Sequence, residues 1–510
     1  MKDIKKQFTE DFELSSKKVD LSFDVTQLEP NTKQTRHRFK HWPLVISLGC
    51  VATAIVGIAV PVMSNLLKIQ NKSVNKNTKT YTIEEIQLAD KNTPGTGVKE
   101  PGSRSEFEKL NEVFLPNLQN PKADALDENE INAYNSFANK TYHAIVDTSN
   151  SENMSYNAIG LYSILNNLYG ASSSRLINSV LDGLLGLSET TRQIFYEKVV
   201  FANFYARENN TTQLRNSAFF NNEFTVNDDY IQKLTDFYCE SYQISFKTRS
   251  KEMVNWVNQA LHSEGFIDQQ FLGLDLDGPS RTQLVLFSTL FFKNAWQNKY
   301  LTTNNVKGDF YLNDGTTKEV TYMTHSYHAP YYYDYGSYIS VKDYYDNGDN
   351  SITFIIPKDH NDNIYELTES VNIFEEKEEN KVLGINDDPI MINMKTPKIK
   401  FKTDMEYNEA LKSLGFEDMF NPEIDTLGNA FSGDHSDTNF HMKTIKERNE
   451  VEFNEDGTTV KSVVMGSMNG TDSVQREESL DVRLDQPFIY IIRDINKTPI
   501  FVGHVDNPKY

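Results

Sequence analysis

The sequence predicts an α+β domain preceded by one membrane-spanning helix, on three observations. Helix-period patterns fill the first part of the stretch from 128 to 510, and strand-like runs fill its later part. One uncharged apolar segment precedes both. Helices early and strands late argue against alternating βαβ units and a parallel sheet.

The elements follow in chain order. Residues 1–41 mix charges of both signs and carry no catalytic pattern, as a cytoplasmic tail would. "WPLVISLGCVATAIVGIAVPVM" (Trp42 to Met63) has no charged side chain, and about twenty apolar residues suffice to cross a bilayer. Residues 42–67 therefore read as a signal anchor in the lipid bilayer. Lys33, Arg36, Arg38 and Lys40 before it favour a cytoplasmic N-terminus, with the remainder outside the cell in a single-pass arrangement. The basic leader is too long for a cleaved signal peptide. Residues 68–127, rich in Lys, Asn, Thr, Gly and Pro, read as a polar linker.

Within 128–510 the first patterns are helical: "NAYNSFANKTYHAIV", "AIGLYSILNNLYG", "SRLINSVLDGLLGL" and "KEMVNWVNQALHSEGF". Ser173 or Ser174 can cap the third, and Gly265 can end the fourth. The strand-like runs are "TQLVLFSTLFFKNAW", "GDFYLNDGTTKEVTYM", "SITFIIPKD", "KTPKIKFKT", "FIYIIRD" and "PIFVGHV". "NDG" at 313–315 and "DNGDN" at 346–350 carry hairpin chemistry.

Composition excludes several functions. A formal charge of −21 over 510 residues argues against nucleic acid, which needs a basic patch. Cys50 and Cys239 alone give no disulfide framework and no CxxC pair. No GxSxG elbow, HExxH or P-loop occurs, so no enzyme chemistry can be named. No cofactor or metal site is expected. His325 and His328 lack a third ligand, "DLDG" (Asp275 to Gly278) lacks the rest of a calcium loop, and the Tyr run at 331–338 reads as strand surface.

"NEDGTTVKSVVMGSMNG" (454–470) is strand-like where a surface loop is due. Taken with "DQPFIYIIRDINKTPIFVGHVDNP", "LVLFSTLFFKNAWQNKY", "NWVNQALHSEGFI", "MKTPKIKF", "LKSLGFEDMF" and "AFSG" in that family's order, it resembles the serpins, in a bacterial-type form with an N-terminal anchor. The resemblance implies large, mainly antiparallel sheets and an exposed reactive-centre loop at about 455–485. It also implies a monomeric suicide inhibitor whose partner is a serine or cysteine protease, and whose cleaved loop enters the central sheet. Hinge positions fall on Glu455, Gly457, Thr458, Thr459 and Val460, and the sheet's breach and shutter on Trp296, Ser288 and Glu447. Counting from the hinge puts the reactive bond at Thr471-Asp472, and counting back from Pro487 puts it at Arg476-Glu477.

The residues allow insertion on their own terms. Thr458, Val460, Ser462, Val464, Gly466 and Met468 would share one face of a strand, small or apolar and uncharged. The chain departs from the family at "TVKSVV", where alanines are usual, and at Asn157 to Gly160, where Ser-Pro-x-Ser is usual. Ser288 stands for an Asn and Glu447 for a His. A non-inhibitory binding or adhesion module therefore stays open beside the inhibitor.

Overall fold

A computed structural model of the chain describes residues 106–114 and 126–510, apart from 150, 205–210, 278–280, 330, 347, 349, 385–386, 434–436 and 459–478. The tail, the apolar span Trp42–Met63, most of the linker and the loop positions Thr459, Val460, Thr471, Asp472, Arg476 and Glu477 lie outside the described residues. Among the described residues no helix is long and apolar enough to cross a membrane.

The four early helical patterns fold as helices. Glu128–Thr148 opens on a capping box, in which Asp127 accepts from Glu130 N–H and the Glu130 carboxylate accepts from Asp127 N–H. Asn157 caps Ala158–Ala171, Ser174 caps Arg175–Leu185, and Phe246–Ala260 is the fourth. That last helix ends at Leu261, not at Gly265: Gly265 sits beyond it with φ +75°. Helices at Glu189–Phe204 and Asp228–Asp236 complete this part. Tyr134, Phe137, Tyr162 and Phe195 interlock at ring separations of 5.0–5.9 Å, which fixes the early helices on one core.

Three large sheets carry the strands. The six-stranded sheet runs Asn153–Asn157, Pro499–Val505, Phe488–Arg493, Ser351–Pro357, Tyr338–Tyr344, Tyr332–Asp334. Phe488 to Ile492 are buried without a polar face, as for a strand covered on both sides. The four-stranded sheet runs Ser479–Arg483, Ile390–Pro397, Thr317–Ala329, Val306–Tyr311. Both predicted hairpins form, the first turning at Gly315 with φ +80°. "KTPKIKFKT" is not one strand: it divides at Lys398 between Ile390–Pro397 and Ile399–Glu406, which belong to different sheets.

The seven-stranded sheet positions the site. Its order is Phe107–Lys109, Cys239–Ile244, Thr211–Asn221, Leu284–Ala295, Gly457–Thr458, Lys446–Asn454, Ile399–Glu406. Gly457–Thr458 is antiparallel to both of its neighbours, so the long strands on either side run parallel to each other. Only this two-residue piece joins them among the described residues.

Candidate functional site: the hinge and the slot below it

Gly457 pairs with Ala295 and Asn454, and Thr458 with Asn294 and Phe453. Gly457 has φ 144°, and a Cβ there would meet Asn294 O at 2.2 Å and Ala295 Cα at 2.7 Å. Only glycine lets the chain enter so close to the neighbouring backbone. Thr458 is buried, and its Oγ1 shares a hydrogen bond of 2.8 Å with the Tyr345 hydroxyl. Tyr345 in turn stacks on Trp296 at 5.2 Å, and the Trp296 indole N–H donates to Asn454 O at 2.7 Å. Trp296 therefore holds the turn that leads from the Lys446–Asn454 strand to Gly457.

Glu455 anchors the turn from outside. Its carboxylate accepts from Asn305 Nδ2 at 2.5 Å and pairs with Lys398 Nζ at 3.1 Å. Burial works against ionising this group, but the Asn305 and Lys398 contacts outweigh it and hold its pKa below the ordinary value. Lys398 also lies 4.1 Å from the centre of the Tyr510 ring.

Below Thr458 the flanking strands separate. Residues 284–293 and 446–452 have no pairing with each other among the described residues, and a cavity of about 730 Å³ lies between them. Ser288, Leu290, Phe292, Glu447, Asn449 and Val451 line it. Ser288 pairs with Asn216 on the adjoining strand, and its own Oγ has no hydrogen-bond partner among the described residues. The shutter positions Ser288 and Glu447 thus come together on one slot, 159 positions apart in the chain.

Glu447 is a buried carboxyl group in the slot wall. Its carboxylate accepts from the Asn157 N–H at 3.0 Å and from the Tyr407 hydroxyl. Burial pushes its pKa up to about 8, against the lowering effect of Asn449 and the Asn157 N–H. Asn157 ends a strand and caps the Ala158–Ala171 helix through Gly160 N–H at 2.9 Å. The residues standing in place of Ser-Pro-x-Ser therefore tie helix and slot together.

A strap crosses the outer side of the slot. The segment after the Phe246–Ala260 helix reaches Lys443, whose Nζ bonds Gly273 O at 3.0 Å and Asp275 at 2.7 Å. Lys446 and Arg448 both lie 4.7 Å from the Phe271 ring centre.

Sequence reasoning missed the partners of the hinge and of Glu447: Lys398, Asn305 and Tyr345 for the first and Tyr407 for the second carry no local signal. His325 and His328 do not make a metal pair. They stand three apart on the Thr317–Ala329 strand, hence on opposite faces, and His325 stacks on Tyr300 at 3.9 Å.

Comparison with known proteins supplies the wider frame. The family model "Serpin (serine protease inhibitor)" matches residues 132–508. Serpin-Z10 of Arabidopsis thaliana is 23% identical over 378 residues, covering 72% of this chain and 95% of the relative. Serpin-ZXA of Oryza sativa subsp. japonica is 27% identical over 276 residues, covering 53% and 67%. Among solved structures, native Tengpin, a thermophilic serpin, superimposes with a TM-score of 0.63 at 20% identity, covering 75% of this chain and 95% of that one. Latent Tengpin and cleaved Serpin 42Da give 0.60 and 0.62, each covering 75% of this chain and 99% of its own, at 19% and 18% identity. Overall likeness does not select among native, latent and cleaved forms.

Proposed function

Since the chain belongs to the serpin family, whose members are generally protease inhibitors, we propose that it traps a serine or cysteine protease by inserting its cleaved loop into the seven-stranded sheet. The hinge pair carries this reading. Gly457 and Thr458 already lie antiparallel between two long parallel strands, with an unpaired slot ahead of them. A strand continuing from Thr458 in that register would bring Val460 opposite Phe292 and Val451. Val464 would fall opposite Ser288 and Glu447, and Met468 opposite Leu284, where the long strand begins. Every one of these inward-facing loop residues is small or apolar, so the core side of the slot can take them without burying a new charge.

That register also favours one reactive bond. Met468 uses the last rung of the Leu284–Ala295 strand, and Thr471 follows three residues later. An attached protease then leaves the sheet at its far end, which supports Thr471-Asp472 over Arg476-Glu477. The segment Trp42–Met63 would hold the protein in the cell membrane with this domain outside.

The test is incubation with trypsin-like and Thr-tolerant serine proteases and with a cysteine protease. An SDS-stable acyl complex is expected, and mass measurement of the released C-terminal peptide should place its start at Asp472. A peptide starting at Glu477 would move the bond. Complete cleavage by every protease with no complex would favour a non-inhibitory binding module, the reading that "TVKSVV" supports. Protease added to intact cells, releasing a fragment close to residues 110–510, tests the membrane arrangement.

A further inference from the structure

Residues 106–113 precede the family match, which begins at 132, yet they are built into the main sheet. Phe107, Glu108 and Lys109 pair antiparallel with Ile244, Gln243 and Tyr242 at the sheet edge. Leu110 N–H donates to Ser241 O at 2.8 Å, and Ser245 N–H to Glu106 O at 3.1 Å. Asn111 closes the contact from both sides: its Nδ2 donates to Thr235 Oγ1 at 2.8 Å and to Cys239 O at 2.9 Å, and its Oδ1 accepts Ser241 N–H at 2.8 Å. Val113 is buried.

The segment also reaches the helix that leads into the strap. Phe107 packs on the small core beneath the Phe246–Ala260 helix, made by Phe219, Tyr242, Phe246, Trp256 and their neighbours. Its ring lies 6.0 Å from Tyr242 and 5.4 Å from the Arg249 guanidinium on the helix's first turns. The same helix is pinned deeper in, where Trp256 Nε1 donates to the Glu240 carboxylate at 2.9 Å and Glu240 faces Arg215 at 3.3 Å. One short segment thus joins an edge strand, the Asp228–Asp236 helix through Thr235, and the helix whose continuation crosses the slot.

We infer that the Cys239–Ile244 edge is a strand-docking site occupied in cis by residues 106–113, and that this docking keeps the Phe246–Ala260 helix seated and restrains loop insertion. An edge strand offers a row of unpaired backbone groups, and main-chain pairing supplies affinity while side-chain contacts at alternate positions supply selectivity. Here Phe107 and Asn111 are those side chains. The inference rests on the inhibitory reading, because restraint matters only if the slot takes the loop.

The test uses the full chain carrying Asn111→Ala or Phe107→Asp. Hydrogen exchange at residues 239–245 should rise in both variants while the slow core of the six-stranded sheet stays protected. Uncut protein held at elevated temperature should convert to a loop-inserted form of higher melting temperature about tenfold faster in both variants. Conversion of wild type with unchanged rates in both variants overturns the inference and leaves the inhibitory reading standing. Failure of wild type to convert, with no rise in its melting temperature after loop cleavage, overturns both.

Discussion

On the proposed inhibitory reading, entry into the slot turns on Thr458. Its side chain is buried and bonded to Tyr345, so Thr458→Arg would force a guanidinium into that site with no partner. An unpaired buried charge costs at least several kcal/mol, so the expected variant folds, is cleaved, and forms no acyl complex on a gel. Undiminished complex formation by this variant would contradict the assignment. Glu447 predicts a pH dependence. Its pKa near 8 in the fold lies above the ordinary 4.5, so the folded state holds a proton that the unfolded state has released. The stability this adds is complete below about 4.5 and is lost as pH rises through about 8. Asp343, raised by burial to about 7, slopes the same way. Glu447→Gln isolates the first group: scanned from pH 5 to pH 8, its melting temperature should fall less than that of wild type by about 2–5 °C. Parallel curves would mean that Glu447 is charged and solvated in the fold.

At the scale of elements, the strap over the slot has two unequal ends. The end at Trp256, Glu240 and Arg215 is buried, whereas Lys443 and Asp275 are about half exposed. Exposed pairs contribute about 0.2–1 kcal/mol and weaken with salt, so the Lys443 end is the one that yields. Lys443→Ala combined with Lys446→Ala should shift the partition from cleaved substrate toward acyl complex about two- to fivefold, and added salt should narrow the difference between this double variant and wild type. A partition unchanged by both treatments would remove the strap from the mechanism. The same elements show what could be read from sequence. "NDG" and "FIYIIRD" are legible because turn chemistry and apolar runs are local signals, whereas "NEDGTT" stands out only through the family resemblance. The Glu189–Phe204 helix was not: Arg192 and Asn203 occupy buried positions on its inner face and break the apolar stripe. Within "KTPKIKFKT" the alternation continues past Lys398, so nothing local marks the change of sheet. The family resemblance singles out Glu455, but its partner Asn305 lies 150 positions away, and only the fold joins them. The Phe107–Lys109 strand is three residues inside a polar stretch, too short to show a period.

Across the whole molecule, the loop is held at both ends in different sheets. Thr458 lies in the seven-stranded sheet, and Ser479 begins the strand paired in parallel with Ile390–Pro397 in the four-stranded one. While the chain is uncut, filling the slot would pull Ser479–Arg483 away from that partner. Cleavage removes the restraint, and the segment can complete the central sheet from Thr458 downward. On the proposed inhibitory reading, the uncut form is held by a kinetic barrier and the cut form by its full complement of strands. The most direct measurement is the melting temperature before and after one cut between Thr471 and Arg476. Insertion predicts a rise on the order of tens of degrees, because the slot closes around a new strand. Equal melting of the intact and cut protein would show that the loop never enters the sheet.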